Sequence, residues 1–168
     1  MSKNVFCWSG EEIKQQPYPY RECGLDNIFL LNGYEITFHD GEEFVSVMDV
    51  DGLHRTIGRH IVMHRKGLSP QEVRFLRKTM DLTQAELAAK LGNDPQTVAR
   101  WEKGNSDMPG TAEKLLRAIF LAENITDDED LKLLRRLLVS VMDELDMMDE
   151  VTSTQAQFKL EERWSEAA

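Results

Sequence analysis

The chain has 168 residues, of which 41% are apolar, so it can bury the core of one or two small domains and is not disordered throughout. Its formal net charge is −10, its apolar runs are too short to span a membrane, and its first residues lack the pattern of a signal peptide. Two cysteines are too few for a disulfide scaffold, so we expect a cytoplasmic protein with no membrane partner.

The N-terminal residues 1–66 predict a partly β module. Pro17 and Pro19 favour extended backbone, and an apolar run at 28–31 ends at the turn signal Asn32-Gly33. Between residues 34 and 63, short apolar runs are separated by Asp-Gly turns at 40–41 and 51–52. We therefore expect a small antiparallel sheet of about three strands, with residues 53–63 as its third strand or as a short helix.

A helical region is predicted to begin after Gly67. Ser69 can cap a helix, with Pro70 in its first turn and Glu72 completing a capping box. The buried stripe of this helix is expected to contain Val73, Leu76 and Met80, a spacing typical of one helix face.

Residues 83–104 have the layout of two short helices joined by a tight turn. Thr83 with Glu86 predicts a second capping box, Gly92 suits a left-handed helix end, and Asn93 or Asp94 can cap the next helix. The apolar positions Leu87, Leu91, Val98 and Trp101 are expected to pack the two helices together. This is the layout of a helix-turn-helix, which places its second helix in the DNA major groove.

The second of these helices then leaves Gln96, Thr97 and Arg100 facing outward. We expect them to contact bases, with Arg100 on guanine and Gln96 on adenine; the alternative for Arg100 is a phosphate contact or an intramolecular ion pair. Lys103 and Asn105, with the neighbouring Ser106, are expected to lie along the phosphate backbone. Glu102 is predicted to be structural, pairing with Arg77 or Lys78. The sequence does not choose between these two partners.

Charge is distributed unevenly along the chain. Residues 66–122 carry nine basic and seven acidic side chains, whereas the segments before and after them are both net acidic. Phosphate binding depends on local positive charge, so the only positive segment coincides with the predicted DNA-binding region. Its small excess predicts binding through placed contacts and through pairing of two copies.

The motifs Thr-Gln-x-Glu-Leu-Ala and Trp-Glu-Lys-Gly within 83–104 resemble the Cro/C1-type helix-turn-helix, or Xre family. The wider stretch 68–121, with its phrase Leu-Ser-Pro-Gln-Glu-Val-Arg-Phe-Leu-Arg-Lys, resembles the DNA-binding domain of MqsA-like antitoxins. The resemblance implies a lambda-repressor-like fold of five helices. It also implies that Gln84 contacts a phosphate and that Gln96, Thr97 and Arg100 meet the bases.

Two further helices are predicted beyond the motif. One covers 111–122 and buries Leu115, Leu116, Ile119 and Phe120, and the other is capped by Thr126 and begins with an acidic turn. The last helix carries an a/d heptad stripe, for which we predict a dimer interface, with folding back on its own domain as the alternative. The stripe comprises Leu131, Leu134, Leu138, Val141, Leu145 and Met148. After about residue 151 the tail is predicted to be frayed, or helical around Phe158 and Trp164.

Metal binding and catalysis are not predicted. MqsA-like antitoxins carry paired Cys-x-x-Cys motifs that hold zinc, but Cys7 and Cys23 stand alone in this chain. We expect buried thiols and solvated histidines, and hence no cofactor, although the histidines near the first helix offer proton-dependent charge as an alternative. The histidines are His39, His54, His60 and His64. No nucleophile elbow, phosphate-binding glycine loop or zinc-protease motif is present, so an enzyme is not expected.

The combined prediction is an α+β protein with three regions. These are an N-terminal β module at 1–66, a Cro/C1-type DNA-binding domain at 67–122, and a dimerisation helix with an acidic tail at 123–168. Its predicted function is regulation of transcription, as a repressor that binds a pseudo-palindromic operator as a homodimer. Two alternatives remain at this stage, namely an antitoxin that neutralises a toxin and represses its own operon, and a regulator that senses a ligand or metal.

Overall fold

The computed structural model describes residues 5–7, 17–141 and 155–167. The chain forms two compact units, one made of Met1–Ile57 with Ser153–Ala168 and the other of Gly58–Thr152. The division therefore differs from the predicted boundaries at 66 and 122, because the end of the chain belongs to the N-terminal unit. Within the described ranges, no helix is both long and apolar enough to cross a membrane.

A three-stranded antiparallel sheet forms part of the first unit, in the order β1 (Val5–Cys7), β4 (Tyr34–His39) and β5 (Glu42–Val47). β4 and β5 form a hairpin whose register pairs Tyr34 with Val47 and His39 with Glu42. The turn between them has φ of 52° at Asp40 and 86° at Gly41, as the Asp-Gly signal predicts for a two-residue hairpin.

The second sheet of this unit has four strands and draws on both ends of the chain. Its order is β2 (Tyr18–Pro19), β3 (Ile28–Leu30), β6 (Ala156–Leu160) and β7 (Trp164–Glu166), with β3 parallel to β6. The tail was predicted to be frayed or helical, and that prediction is wrong. Ala156, Phe158 and Leu160 alternate as buried positions, which is a strand period.

Hydrogen bonds of the Asn32 and Trp164 side chains fix this tail to the N-terminal residues. The buried amide of Asn32 donates to the carbonyl of Leu160 at 3.0 Å and accepts from the Leu160 amide at 2.7 Å. The indole Nε1 of Trp164 donates to the carbonyl of Met48 at 3.0 Å. The alternation at 156–160 is a local signal of a strand, but the partners of this strand lie near the other end of the chain, and a pattern confined to residues 155–167 does not identify them.

Residues 50–64 form helix α1 (Val50–His64) and not a third strand. The side chain of Asp49 accepts a hydrogen bond from the amide of Gly52 at 3.0 Å, so the predicted turn at 51–52 is instead the first turn of a helix. Leu53, Ile57 and Ile61 are buried at four-residue spacing, which is the period of one helix face.

The second unit continues with five more helices, so the described residues contain six α-helices with α1 included. They are α2 (Pro70–Thr79), α3 (Gln84–Leu91), α4 (Pro95–Lys103), α5 (Gly110–Glu123) and α6 (Asp128–Arg136), followed by a π-helical turn at Leu137–Val141. Capping boxes at Ser69–Glu72 and Thr83–Glu86 start α2 and α3 as predicted. Asp94, and not Asn93, caps α4.

Helices α5 and α6 differ in detail from the predictions. Leu116 and Phe120 are buried, but Leu115 is exposed, and the position that completes the buried face belongs to Arg117. Asp127 caps α6 through the amide of Asp130, so Thr126 is not the cap; its hydroxyl donates to Asp130 instead. The acidic first turn of α6 is present as predicted.

Candidate nucleic-acid interface

Helices α3 and α4 pack through small and apolar side chains. Leu87 and Ala88 of α3 are buried together with Val98 and Trp101 of α4, as the sequence predicted. Both helices end at a glycine with positive φ, which is 68° at Gly92 and 70° at Gly104. The packing and the glycine ends hold α4 in one orientation relative to α3.

Two of the three residues predicted to contact bases are exposed to solvent on the outward face of α4. Gln96 and Arg100 are exposed and lie one turn apart. Thr97 is half-buried, and its hydroxyl donates to the carboxylate of Asp94 at 2.7 Å, while its amide donates to the other carboxylate oxygen at 3.0 Å. Thr97 is therefore engaged in capping α4, and Gln96 and Arg100 are the side chains best placed to meet a ligand.

The cap residue Asp94 is negatively charged at the start of this face. Hydrogen bonds from the side chain and backbone of Thr97, and then the charge of Arg100, hold the pKa of the Asp94 carboxyl below its usual value. Asp94 thus stays ionised at neutral pH beside Arg100. This carboxylate would repel a phosphate, and it would limit non-specific binding at the beginning of α4.

A buried carboxylate, Glu102, connects three helices of the motif. Arg77 of α2 contacts both of its oxygens, with Nε at 2.5 Å from Oε1 and an Nη at 3.0 Å from Oε2. Gln84 of α3 donates its amide to Oε2 at 2.8 Å, and Arg74 donates to the carbonyl of Glu102 at 2.9 Å. The open choice of partner is therefore settled in favour of Arg77.

Burial alone would raise the pKa of Glu102, but hydrogen bonds from Arg77 and Gln84 and the charges of Arg77 and Arg74 outweigh it. The net result is a pKa below the usual value for a glutamate. Glu102 is therefore an anion buried among cations. Its role is to hold α2, α3 and α4 together, which agrees with the structural role predicted for it.

Gln84 was predicted to contact a DNA phosphate. In the structure its side-chain amide already donates to Glu102, so a phosphate contact would have to use the amide's second hydrogen or a changed rotamer. Arg74 was not singled out by the sequence. A sequence signal for its contact with Glu102 does exist, because Arg74 lies three residues before Arg77 on the same face of α2.

The end of α4 and the residues after it, for which phosphate contacts are predicted, are exposed. Lys103, Asn105 and Ser106 are all exposed to solvent, and the amide of Asn105 bonds to the carbonyl of Arg100 at 2.9 Å. This bond closes the C-terminal end of α4, so the loop leaves the helix in a defined direction. Lys103 and Asn105 therefore border the face formed by Gln96 and Arg100.

Three apolar side chains of the predicted heptad stripe lie on one side of α6 and the turn after it. Leu131 is 55% exposed and Leu138 is 58% exposed, and Leu134 lies between them in a shallow groove with Val139. Leu137, in contrast, is fully buried within its own unit. The side chain of Val141 and the residues Leu145 and Met148 lie outside the described part of the chain.

The side chains of Cys23 and His54 both make contacts within the protein. The Cys23 thiol donates to the carbonyl of Tyr20, and burial raises its pKa to about 11. His54 contacts the Tyr20 hydroxyl at 3.0 Å, and burial lowers the pKa of His54 despite the nearby charge of Asp51. His54 is therefore neutral at physiological pH, which does not fit the alternative of a cationic residue near DNA.

Comparison with known proteins identifies the class of this domain. Residues 73–124 match a family model described as Helix-turn-helix, which covers most of α2 and all of α3, α4 and α5. No curated protein and no solved structure matches the chain significantly. The chain therefore contains a helix-turn-helix domain of the kind found in DNA-binding regulators.

Within that class, the family model that matches residues 73–124 is that of the Cro/C1-type helix-turn-helix, or Xre family. This confirms the family resemblance carried by the motifs in α3 and α4. The finer likeness to MqsA-like antitoxins is not confirmed by any match.

Proposed function

We propose that the protein is a sequence-specific regulator that binds double-stranded DNA as a homodimer and represses transcription by occupying its operator. The observation that carries this proposal is the outward face of α4, where Gln96 and Arg100 are exposed. The opposite face of α4 is packed against the rest of the domain through the buried Val98 and Trp101. An arginine fork can donate two hydrogen bonds to a guanine edge, and a glutamine can pair in the same way with adenine. These two side chains are therefore assigned to base recognition.

The side chains around α4 supply sequence-independent contacts. Lys103 and Asn105 border the recognition face, and a lysine at such a position neutralises a phosphate and makes binding depend on salt. The small positive excess of residues 66–122 limits this term, and the acidic segments outside it disfavour bulk association with DNA. Specific contacts must therefore carry a large share of the affinity.

A second copy of the chain would add the contacts that one domain lacks. The exposed groove of α6, formed by Leu131, Leu134 and Leu138, is an apolar surface of the kind that pairs two protomers. A two-fold dimer would present two copies of α4 to successive turns of the major groove. The operator would accordingly be a pseudo-palindrome with half-sites one helical turn apart, or a multiple of it.

Selection of bound sequences from a random pool of double-stranded DNA tests this proposal as a whole. We expect enrichment of a pseudo-palindrome whose half-sites contain guanine and adenine at neighbouring positions. Enrichment of a single asymmetric site would oppose the dimer, and a pool without enrichment would oppose sequence-specific binding.

Arg100→Ala is expected to weaken binding to the selected operator by about 1–3 kcal/mol and to relax preference at one base pair in each half-site, because a bidentate contact is lost. Fluorescence anisotropy on the operator and on single-base variants measures both effects. Lys103→Ala is the matched control, since it removes a neighbouring charge from α4 without a predicted base contact. If both variants lost affinity equally on every sequence, Arg100 would be a phosphate contact.

Leu138→Asp is expected to raise the dissociation constant of the dimer by about tenfold or more, because it places a carboxylate in an apolar seam. Sedimentation velocity over a range of protein concentrations measures the change. Leu115→Asp provides the control, since Leu115 is also an exposed leucine but lies on α5, outside the groove. A Leu138→Asp protein that remained dimeric would place the interface elsewhere.

A further inference from the structure

The hairpin of β4 and β5 combines acidic and apolar side chains on an exposed surface. Residues 34–51 contain six carboxylates and no lysine or arginine. Phe38 is 41% exposed and Phe44 is 49% exposed, and the next residues after β5 include the exposed Met48. Large exposed aromatic side chains beside several carboxylates are unusual for a surface that only faces water.

The free side of β5 adds a second property to this surface. β5 is an edge strand, and among the described residues no other strand pairs with its outer side. His39 and Glu42 flank the two-residue turn and form a hydrogen-bonded pair. From there, hydrogen-bonded pairs alternate with pairs that exchange no hydrogen bonds along the hairpin. The amides and carbonyls of Glu43, Val45 and Val47 therefore point away from β4, towards the open edge.

We propose that this edge binds a basic, extended segment of another protein, which adds to the sheet as a strand beside β5. Outward backbone groups of β5 would hydrogen-bond to the segment, as in other cases of strand addition. Glu43 and Phe44 point to opposite faces of the sheet. In an added strand with alternating residues, the apolar side chains would pack against Phe44 on one face, and the lysines or arginines would pair with the Glu43 carboxylate on the other.

Charge distinguishes this partner from other occupants. The hairpin surface repels acidic segments and nucleic acid, and it has no cation to offer either of them. A second copy of the same hairpin would bring acidic residues against acidic residues, which is unfavourable in a sheet. The proposed partner is therefore a separate, basic chain. The site lies in the N-terminal unit and its function does not depend on DNA binding.

A defined peptide tests the proposal on the full-length protein. The probe is a blocked peptide of about eight residues with alternating lysine and valine, a typical strand length, and the comparison peptide replaces each lysine by glutamate. We expect the lysine peptide to shift the amide NMR signals of residues 42–47 and to slow hydrogen exchange at Glu43, Val45 and Val47. The glutamate peptide should leave these signals unchanged.

Val45→Pro removes one outward amide without touching the bonds to β4, and Val45→Thr keeps the amide with a side chain of similar shape. We expect the proline variant to bind the lysine peptide at least about fivefold more weakly than the threonine variant, which corresponds to the loss of one net hydrogen bond. Unchanged amide NMR signals of β4 (Tyr34–His39), which pairs with the inner side of β5, show that the sheet is folded in both variants. The double variant Glu42→Gln with Glu43→Gln leaves the backbone intact and should also weaken peptide binding.

Three results would overturn the proposal. Equal binding by Val45→Pro and Val45→Thr would show simple attraction between charges and no added strand. Signal shifts confined to other acidic residues would place the site elsewhere. Self-association that Val45→Pro abolishes would make a second copy of this chain the occupant. Because operator binding is measured separately, a failure of this proposal is distinguishable from a failure of the proposed DNA binding.

Discussion

Replacing Glu102 by alanine is expected to lower the free energy of unfolding by about 3–5 kcal/mol, the range observed when one partner of a buried ion pair is removed. The carboxylate is almost fully buried and receives hydrogen bonds from Arg77 and Gln84. Its loss leaves the Arg77 guanidinium, which is itself largely buried, without a counter-charge. Urea unfolding followed by circular dichroism measures the change.

Two further variants separate the ion pair from general damage. Lys103→Ala changes the exposed neighbour of Glu102, so its effect should stay within about 0.5 kcal/mol. Glu102→Leu combined with Arg77→Leu removes both charges, and much of the stability lost in Glu102→Ala should return. A Glu102→Ala protein as stable as Lys103→Ala would show that the contacts contribute little.

The Glu102 contacts also predict how stability depends on pH. Because the folded state holds the pKa of Glu102 below its ordinary value of 4.5, the ionised form stabilises the fold above that value. This contribution is lost as the pH falls through the lowered pKa, where the folded carboxylate takes up a proton. Asp130 shifts in the same direction, since hydrogen bonds from Thr126 and the charge of Arg59 outweigh its burial. Glu102→Gln should therefore lose less stability on acidification than the natural chain.

Arg117→Met is expected to lower the free energy of unfolding by about 3 kcal/mol or more, because several buried partners lose their donor at once. Arg117 is only 2% exposed. Its guanidinium donates to the carbonyl of Val62 at 2.7 Å, to that of Arg65 at 2.8 Å and to the carboxylate of Glu113 at 2.6 Å. These carbonyls lie in the last turn of α1 and on the residue after it, where helix geometry supplies no amide for them.

The same urea measurement distinguishes donor loss from the loss of packing. Methionine keeps an unbranched apolar side chain of similar reach, so the core volume changes little. The double variant Arg117→Met with Glu113→Gln removes the uncompensated carboxylate and should be more stable than Arg117→Met alone. Equal stability of the two would mean that the α1 carbonyls, and not Glu113, determine the loss.

The helix-turn-helix could be predicted in detail because its signals are local. A cap residue and its partner three positions later, a glycine at a helix end and apolar residues at helical spacing each act within one or two turns. The family match at residues 73–124 confirms the class of domain that these signals predicted. The exposure of Gln96 and Arg100 follows from the same spacing, once Val98 and Trp101 face α3.

The signals failed where two interpretations share one pattern. Leu53, Ile57 and Ile61 fit a helix, yet Asp51-Gly52 is also a common turn, and only the cap formed by Asp49 decides for α1. The pattern on α5 also failed to predict burial, since Leu115 is exposed and Arg117 is buried. An arginine in a helix is expected at the surface, and here it is buried because the open end of α1 needs its donors.

The sequence by itself determined the DNA-binding motif, its start and stop residues and the face that α4 presents, because these depend on neighbours within a few positions. Only the tertiary structure decided that the tail joins the N-terminal sheet through Asn32 and Leu160, and that Glu102 pairs with Arg77 and Gln84. Those contacts join residues that are far apart in the chain. For each of these polar groups the sequence offers several possible partners. Burial selects among these partners, because a polar group removed from water is stable only when its hydrogen bonds are made.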